Sequence, residues 1–322
     1  MSSLFNKRTA YKPFWFPWAY EAFVASEQMH WLAREVPLNE DIKNWKMDLT
    51  KEEKDLLTQI FRFFVQADVD VSVGYIERYL PMFKPPEIRM MLSSFAAREA
   101  VHIQAYSTLI DELGLPETEY SAFMEYKEMS AKHQYLFARE VGTGGRLGAL
   151  LDLAKFSAFG EGLQLFASFV ILLNFTRAGK MKGMGQIIAW SIRDETHHVD
   201  SMLHLYHEAL RESPDVNLRH LSAEIRGIAA SMVELEDRFI DLAYAGDAVD
   251  GLAPEDVKLY IRYIADLRLK QLGEPLLYGQ DVNPLPWVDA IVFGKEHTNF
   301  FENRSTDYSK GAVEGSWDDA FS

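Results

Sequence analysis

The sequence holds no cysteine among its 322 residues. Disulfides, zinc-thiolate sites and iron-sulfur clusters are thereby excluded, and any metal has to sit on carboxylate, imidazole and water. Positive charge is scarce as well: 33 Lys and Arg face 48 Asp and Glu, a formal net charge of -15. Nucleic acid and anionic membranes both demand a basic surface, so neither is expected as a partner. Long apolar runs are missing too. The longest, Leu163 to Phe175, is interrupted by Gln164, Ser168 and Asn174. It falls short of the roughly 20 residues that span a bilayer and reads as a buried core helix. Met1 to Arg34 mixes aromatics with charges and lacks the apolar core of a signal peptide, so a cytoplasmic location is expected.

Apolar residues make up 48% of the chain, enough for a large core. They recur with the 3.6-residue period of helices, while strand-like alternation is scarce, so the fold class is all-α. The pattern predicts helices over 15–33, 51–79, 87–113, 119–140, 147–177, 183–212, 217–246 and 254–273. Breaks are expected at Pro81, Pro85-Pro86, Gly114 to Pro116, Gly142 to Gly145, Ala178-Gly179, Ser213-Pro214 and Ala253-Pro254. Several of these helices exceed twenty residues, which suits a bundle. Residues 1–300 read as one helical domain. Beyond it, 301–322 is rich in Ser, Gly and Asp with isolated Tyr308, Trp317 and Phe321, too few apolar groups to pack a core. It reads as a flexible C-terminal tail whose aromatics bind something.

Two Glu-x-x-His triplets, Glu99-Ala-Val-His102 and Glu195-Thr-His-His198, carry the strongest chemical signal. Residues three apart share a helix face, so each triplet aims a carboxylate and an imidazole at one point. One such triplet means little in a helical chain with nine histidines, and Glu27-Gln-Met-His30 reads as a solvated example. Register separates the others. Glu99 and His102 lie in the stripe Leu92, Phe95, Glu99, His102, Tyr106, and Glu195 and His198 in the stripe Ile188, Ile192, Glu195, His198, Met202. Asp68 lies in the stripe Phe61, Phe64, Asp68, Val71, Tyr75, and Glu161 interrupts the apolar face of Ala154, Ala158 and Leu165. Asp70 is rotated away and expected to be solvated. Buried carboxylates cost several kcal/mol unless paired or bound to metal. Four carboxylates and two imidazoles supply the charge and donors for two divalent ions, with ligands that suit iron or manganese better than copper. His197, His204 and His207 point elsewhere and read as surface or supporting residues.

In this order the residues resemble the radical-generating small (beta) subunit of class I ribonucleotide reductase. The pattern is an Asp, then Glu-x-x-His-x-x-x-Tyr, a lone Glu, and Asp-Glu-x-x-His; here Asp68, then Glu99, His102 and Tyr106, then Glu161, then Asp194, Glu195 and His198. The resemblance covers essentially the whole chain and implies a ferritin-like helical bundle with a dinuclear metal site in its core. It implies that Asp68, Glu99 and His102 hold one ion, that Glu161, Glu195 and His198 hold the other, and that Glu99 is among the bridges. By the same resemblance Tyr106 is the radical tyrosine, and Asp194 links Trp31 to His102 in a relay to the surface, a carboxylate fixing a ligand imidazole. Trp45 is a nearby alternative to Trp31 whose position suits a loop anchor. Tyr308 resembles a mobile interfacial tyrosine, and Trp317 to Phe321 a peptide that docks into the large (alpha) subunit. The implied activity is that of a homodimeric small subunit of ribonucleoside-diphosphate reductase. It would pass an oxidising equivalent by proton-coupled electron transfer to its partner for deoxyribonucleotide synthesis, the necessary thiols lying in that partner.

Leu165 and Ser191 depart from the pattern, since relatives with a long-lived tyrosyl radical carry bulkier apolar residues there. Three cofactors therefore stay open: di-iron with a tyrosyl radical, di-manganese with a tyrosyl radical, and a high-valent metal pair without one, a mixed manganese-iron pair included. A manganese form would call for a flavoprotein activator. Two other readings of the ligand set stand beside this one, a stand-alone ferritin-like oxidase or hydroxylase and a non-enzymatic iron-binding bundle.

Overall fold

The computed structural model describes residues 3–137, 145–244 and 251–294, and among them no strand occurs. The first half holds α1 (Pro17–Gln28), α2 (Asn39–Lys43), α3 (Lys51–Gly74), α4 (Leu80–Met82), α5 (Pro86–Leu113) and α6 (Glu119–Ala122). It is followed by α7 (Lys127–Phe137), α8 (Gly145–Asp152), α9 (Phe166–Arg177) and α10 (Lys182–Arg211). The described chain ends with α11 (Leu218–Ala243), α12 (Pro254–Leu272) and α13 (Pro286–Gly294). Three π-helical segments, Asn44–Asp48, Tyr75–Tyr79 and Leu153–Glu161, continue α2, α3 and α8.

The long helices start and stop where local chemistry dictates. Thr50 caps α3 by accepting from Glu53 N while Glu53 Oε2 accepts from Thr50 N, a reciprocal box that satisfies two orphan donors. Pro86 opens α5, and Gly114, at φ 75°, closes it in the left-handed conformation that disfavours side chains. The buried carboxylate of Asp41 accepts from Gly183 N and Met184 N at 2.9 and 2.8 Å, so the start of α10 is held from across the molecule.

Helices α3, α5 and α10, with the strand of helix running from α8 through α9, pack against one another as the inner bundle. Helix α1 lies on α5, while α7, α11 and α12 cover the opposite side. Gly145–Arg177 is long and apolar enough to pass for a membrane span, but its apolar window is wholly inside the fold. It is a core helix, as expected from its polar interruptions.

The expected helix 147–177 is not continuous. Its middle widens to a π-helix, Leu153–Glu161, and residues 164–165 form a turn before α9 begins. The stretch 119–140 is likewise divided, by a 3-10 turn at Phe123–Glu125. The N-terminal helix stops at Gln28, so Trp31 stands on an irregular link ahead of a short turn at Ala33–Glu35. Pro81, read as a break, sits within the last turn of the helical run that begins at Lys51 and ends at Met82. The tail 301–322 lies outside the described residues.

The π segments of Tyr75–Tyr79 and Leu153–Glu161 pack side by side. Tyr79 Oη donates to Asp152 O at 3.1 Å, and the Phe156 ring lies over Gly74, where a Cβ would come within 2.0 Å of Phe156 Cζ. Gly74→Ala is therefore expected to lower stability by about 1–3 kcal/mol through overpacking. Gly227→Ala, on α11 with nothing within 4 Å of the added Cβ, is expected to raise it by about 0.5–1 kcal/mol through helix propensity. Denaturant unfolding midpoints of the two variants check this opposite sign.

Candidate metal centre

Each inner helix delivers its part of one cluster. Asp68 comes from α3, Glu99 and His102 from α5, Glu195 and His198 from α10, and Glu161 from the last position of the π segment Leu153–Glu161. All six are at most 1% exposed. Asp68, Glu99, His102 and Glu195 bring donor atoms within 4.8 Å of one another, and so do Glu99, Glu161, Glu195 and His198. Glu99 and Glu195 belong to both groups. The bundle thus holds two adjoining ligand sets sharing two carboxylates.

The separations are short: His102 Nδ1 lies 3.3 Å from Glu99 Oε2 and 3.2 Å from Glu195 Oε1. His198 Nδ1 lies 3.0 Å from Glu99 Oε1, 3.6 Å from Glu195 Oε2 and 3.7 Å from Glu161 Oε2. Yet these atoms do not pair in hydrogen-bond geometry. Asp68 Oδ2, Glu161 Oε1, both oxygens of Glu99 and of Glu195, and Nδ1 of both histidines are buried without a hydrogen-bond partner among the described residues. Atoms that crowd together without pairing converge on shared points between them, which is how ligands are arranged around a cation. Charge agrees: four ionised carboxylates with two neutral imidazoles carry four negative charges, which two divalent ions offset. The residues present therefore fit a dinuclear centre of the carboxylate-histidine type found in helical bundles.

Electrostatics record the same tension. Burial, reinforced by Glu195 and Glu99, holds Glu161 well above the usual carboxylate range. Burial also raises Asp68, against the pull of His102. Burial would raise Glu99 too, but the two imidazoles beside it bring it down to about 2. Burial opposes charge on His198, yet Glu195 and Glu99 raise it to about 10. Burial and the neighbouring charges together move each of these groups from its value in water.

Around the cluster lies a shell of oriented donors. One oxygen of Asp194, Oδ2, accepts from Trp31 Nε1 at 2.7 Å and lies 3.2 Å from His102 Nε2. Its other oxygen faces Arg193 Nη2 at 3.2 Å, and Arg98 Nε stands 4.0 Å away. Burial raises the Asp194 carboxyl, but His102, Arg193 and Trp31 bring it below its ordinary value. The Trp31 and His102 ring centroids are 5.8 Å apart. Tyr106 Oη donates to Ser191 Oγ at 2.9 Å, and its ring packs 4.8 Å from that of Phe64. Burial, then Asp68, keeps the Tyr106 phenol well above its ordinary value and hence protonated.

The structure brings together all six expected ligands, and places Trp31, Asp194 and Tyr106 against them. Tyr308 and Trp317 to Phe321 lie outside the described residues. Trp45 sits half-buried in the π segment Asn44–Asp48. His197 bonds to Ala22 O at 2.8 Å, His204 stacks on Trp18 at 4.0 Å and His207 bonds to Gln271 O at 2.8 Å, so none joins the cluster. The Glu27 triplet is apart from it as well: Glu27 Oε1 accepts from Ser94 Oγ at 2.7 Å and His30 is exposed.

Asp70 corrects the expectation of a solvated residue. It is 8% exposed and pairs with His133 of α7, because α7 covers the face to which Asp70 points. Tyr75 is the residue that sequence reasoning missed. Its hydroxyl donates to Glu161 Oε2 at 2.6 Å, leaving Oε1 for a cation. It had been read as a plain member of the Asp68 stripe. The signal was its spacing, for Tyr75 stands seven residues after Asp68, as Tyr106 stands seven after Glu99.

The chain is similar to known proteins. The family model described as ribonucleotide reductase, small chain, matches residues 8–284. A probable ribonucleoside-diphosphate reductase small subunit of Invertebrate iridescent virus 3 is 46% identical, over 98% of this chain and 88% of its own. Among solved structures, the ribonucleotide reductase R2 subunit from Clostridium botulinum is similar with a TM-score of 0.80 at 24% identity, over 90% of this chain and 94% of its own. The Streptococcus sanguinis dimanganese(II)-NrdF is similar with a TM-score of 0.77 at 21% identity, over 89% of this chain and 99% of its own.

Replacing Glu161 or Glu195 with Ala is expected to lower bound metal to one ion or none per chain, since an uncompensated charge is too costly to keep in a helical core. Elemental analysis of protein reconstituted with iron and, separately, with manganese checks this; two ions per chain in both variants would remove them from the ligand set.

Proposed function

The chain belongs to the ribonucleotide reductase small-chain family, the oxidoreductase component that works with a large subunit, and from this premise we propose how its own residues serve that reaction. Asp68, Glu99 and His102 would hold one ion and Glu161, Glu195 and His198 the other, Glu99 and Glu195 belonging to both groups of donors. Oxygen and nitrogen donors suit iron and manganese alike, and the dimanganese title of the Streptococcus sanguinis neighbour supports manganese as a candidate beside iron. When bound, the metal pair supplies one-electron oxidising power.

The observation that carries the reading is the bond chain His102, Asp194, Trp31. Asp194 takes the Nε2 side of His102, fixes its tautomer and turns Nδ1 toward the cluster. The same carboxylate oxygen accepts the indole N–H of Trp31, so an electron can leave Trp31 while its proton passes to Asp194 along an existing hydrogen bond. His102 and Arg193 keep that carboxylate ionised and ready to accept. That bonded chain suits the export of an oxidising equivalent from the cluster.

Tyr106 is proposed as the holder of that equivalent. A second reading, in which the metal pair holds it, is favoured by one observation: the Tyr106 hydroxyl is bonded to Ser191, a weak proton acceptor, and not to a carboxylate. Residues 1–300 act as the helical domain, the chain pairs with a second copy, and the tail 301–322 docks on the large subunit with Tyr308 continuing the relay.

Tyr106→Phe is expected to bind two ions yet show no sharp organic radical signal by electron paramagnetic resonance and no deoxyribonucleotide formation. Retained turnover would place the oxidising equivalent on the metals.

Deleting Gly311 to Ser322 is expected to leave metal content unchanged while abolishing large-subunit binding, because a sparse polar tail buries little in the fold. Tyr308→Phe is expected to keep that binding and stop turnover, since a phenyl ring fills the same space without relaying a proton-coupled electron. Binding by sedimentation and product formation separate the two; full turnover by the truncated chain would remove the tail from the docking role.

A further inference from the structure

The helix that presents Glu161 is interrupted by a turn at 164–165, and the break is gripped by buried cations. Gln164 N still bonds back along the helix to Phe159 O and Gly160 O at 3.1 and 3.2 Å, and around the turn the carbonyls of Gly162 and Gln164 accept from side chains. Arg268 of α12 donates through Nε to Gly162 O at 2.9 Å. Lys132 of α7 donates through Nζ to Gln164 O at 3.1 Å. Both cations are buried, Lys132 completely. The grip needs a small residue: a Cβ at Gly162 would come within 2.7 Å of Arg268 Nε.

Lys132 is itself held from three sides. It forms an ion pair with Glu236 of α11, also 0% exposed, and its Nζ stands 3.8 Å from the Phe63 ring centroid and 4.1 Å from that of Phe239. Burial lowers the Lys132 ammonium below its ordinary value and raises Glu236 to about 7. Burying such a pair is a poor way to gain stability, because desolvation consumes much of its attraction. A water molecule would satisfy a stray carbonyl at less cost. What an ion pair between two covering helices adds is rigidity at one backbone point, three residues past Glu161.

We propose that Lys132, oriented by Glu236, is a positioning residue for the metal centre: it locks the helix break so that Glu161 presents its free oxygen at one place. The proposal rests on Glu161 being a ligand. Tyr75 completes the restraint at the carboxylate itself by occupying Oε2. Glu161 is thus fixed from the backbone by Lys132 and Arg268 and from the side chain by Tyr75.

The test replaces the pair by apolar residues of similar length, Lys132→Met with Glu236→Leu, in the full-length chain. Metal-free protein is titrated with Co(II), reading the affinity for each ion and the ligand-field absorption, with thermal unfolding of the metal-free form as a separate measurement. The expected result is a melting temperature equal to or above that of the parent chain. The second Co(II) should bind about tenfold or more weakly, as for other residues that orient ligands, with an altered absorption band. Parent affinity and spectrum in the folded double variant would overturn the proposal and leave the pair a purely structural element. Glu161→Ala is titrated in parallel: if it loses an ion while the double variant matches the parent, only the positioning role falls, and if it binds both ions normally, the ligand reading falls with it. Should the double variant not fold, Glu236→Gln, which keeps the shape and removes the counter-charge, takes its place, and an unaltered Co(II) spectrum there overturns the proposal equally.

Discussion

An ionised carboxylate moved from water into an apolar core costs several kcal/mol unless a cation meets it, and this chain gathers Asp68, Glu99, Glu161 and Glu195 into two adjoining clusters at 0–1% exposure. Much of the architecture can be understood as what such a concentration of charge requires. Four inner helices are needed because each contributes only the one or two residues that share its inward face. A further layer, α1 on one side and α7, α11 and α12 on the other, keeps water from the charges. The aromatic packing of Phe64, Phe95 and Phe169 around the cluster lowers the local dielectric, which strengthens every remaining interaction.

The same constraint explains why so much of the site was legible in the sequence. A carboxylate in an apolar stripe is an anomaly that periodicity exposes, and Asp68, Glu99, Glu161 and Glu195 were each found that way. The imidazoles followed from the three-residue spacing. Trp31 and Asp194 could not be found so, because Trp31 reaches the cluster from an irregular link and only the ordered resemblance to a family singled it out. Tyr75 stayed hidden because a tyrosine looks at home in an apolar stripe, and its hydroxyl contact with Glu161, a residue 86 positions away, leaves no trace in local periodicity. Asp70 was misread because helical phase alone cannot tell a solvated face from one covered by a second layer.

Lengths of helix were legible, but interruptions were not. Gly160 and Gly162 flank Glu161, yet a glycine in an apolar helical run is as compatible with tight packing as with a break. The buried hydrogen bonds that make the break tolerable come from Lys132 and Arg268, about thirty residues before it and about a hundred after it in the sequence. Such long-range compensation is a property of the assembled layers and leaves no local trace.

The wide turns of Leu153–Glu161 have an implication for how the chain can vary. A π turn holds more residues than an α turn, so losing one residue there would let the segment relax to ordinary helix. Each residue of an α-helix advances about 100° around the axis, so a deletion in ordinary helix, as in α5 or α10, turns every later side chain off its face. In the wide segment the lost residue is taken up as a turn tightens, and Asp152 and Glu161 keep their facing. Leu153–Glu161 is therefore a stretch in which length can vary at less cost than in the helices that carry the other ligands.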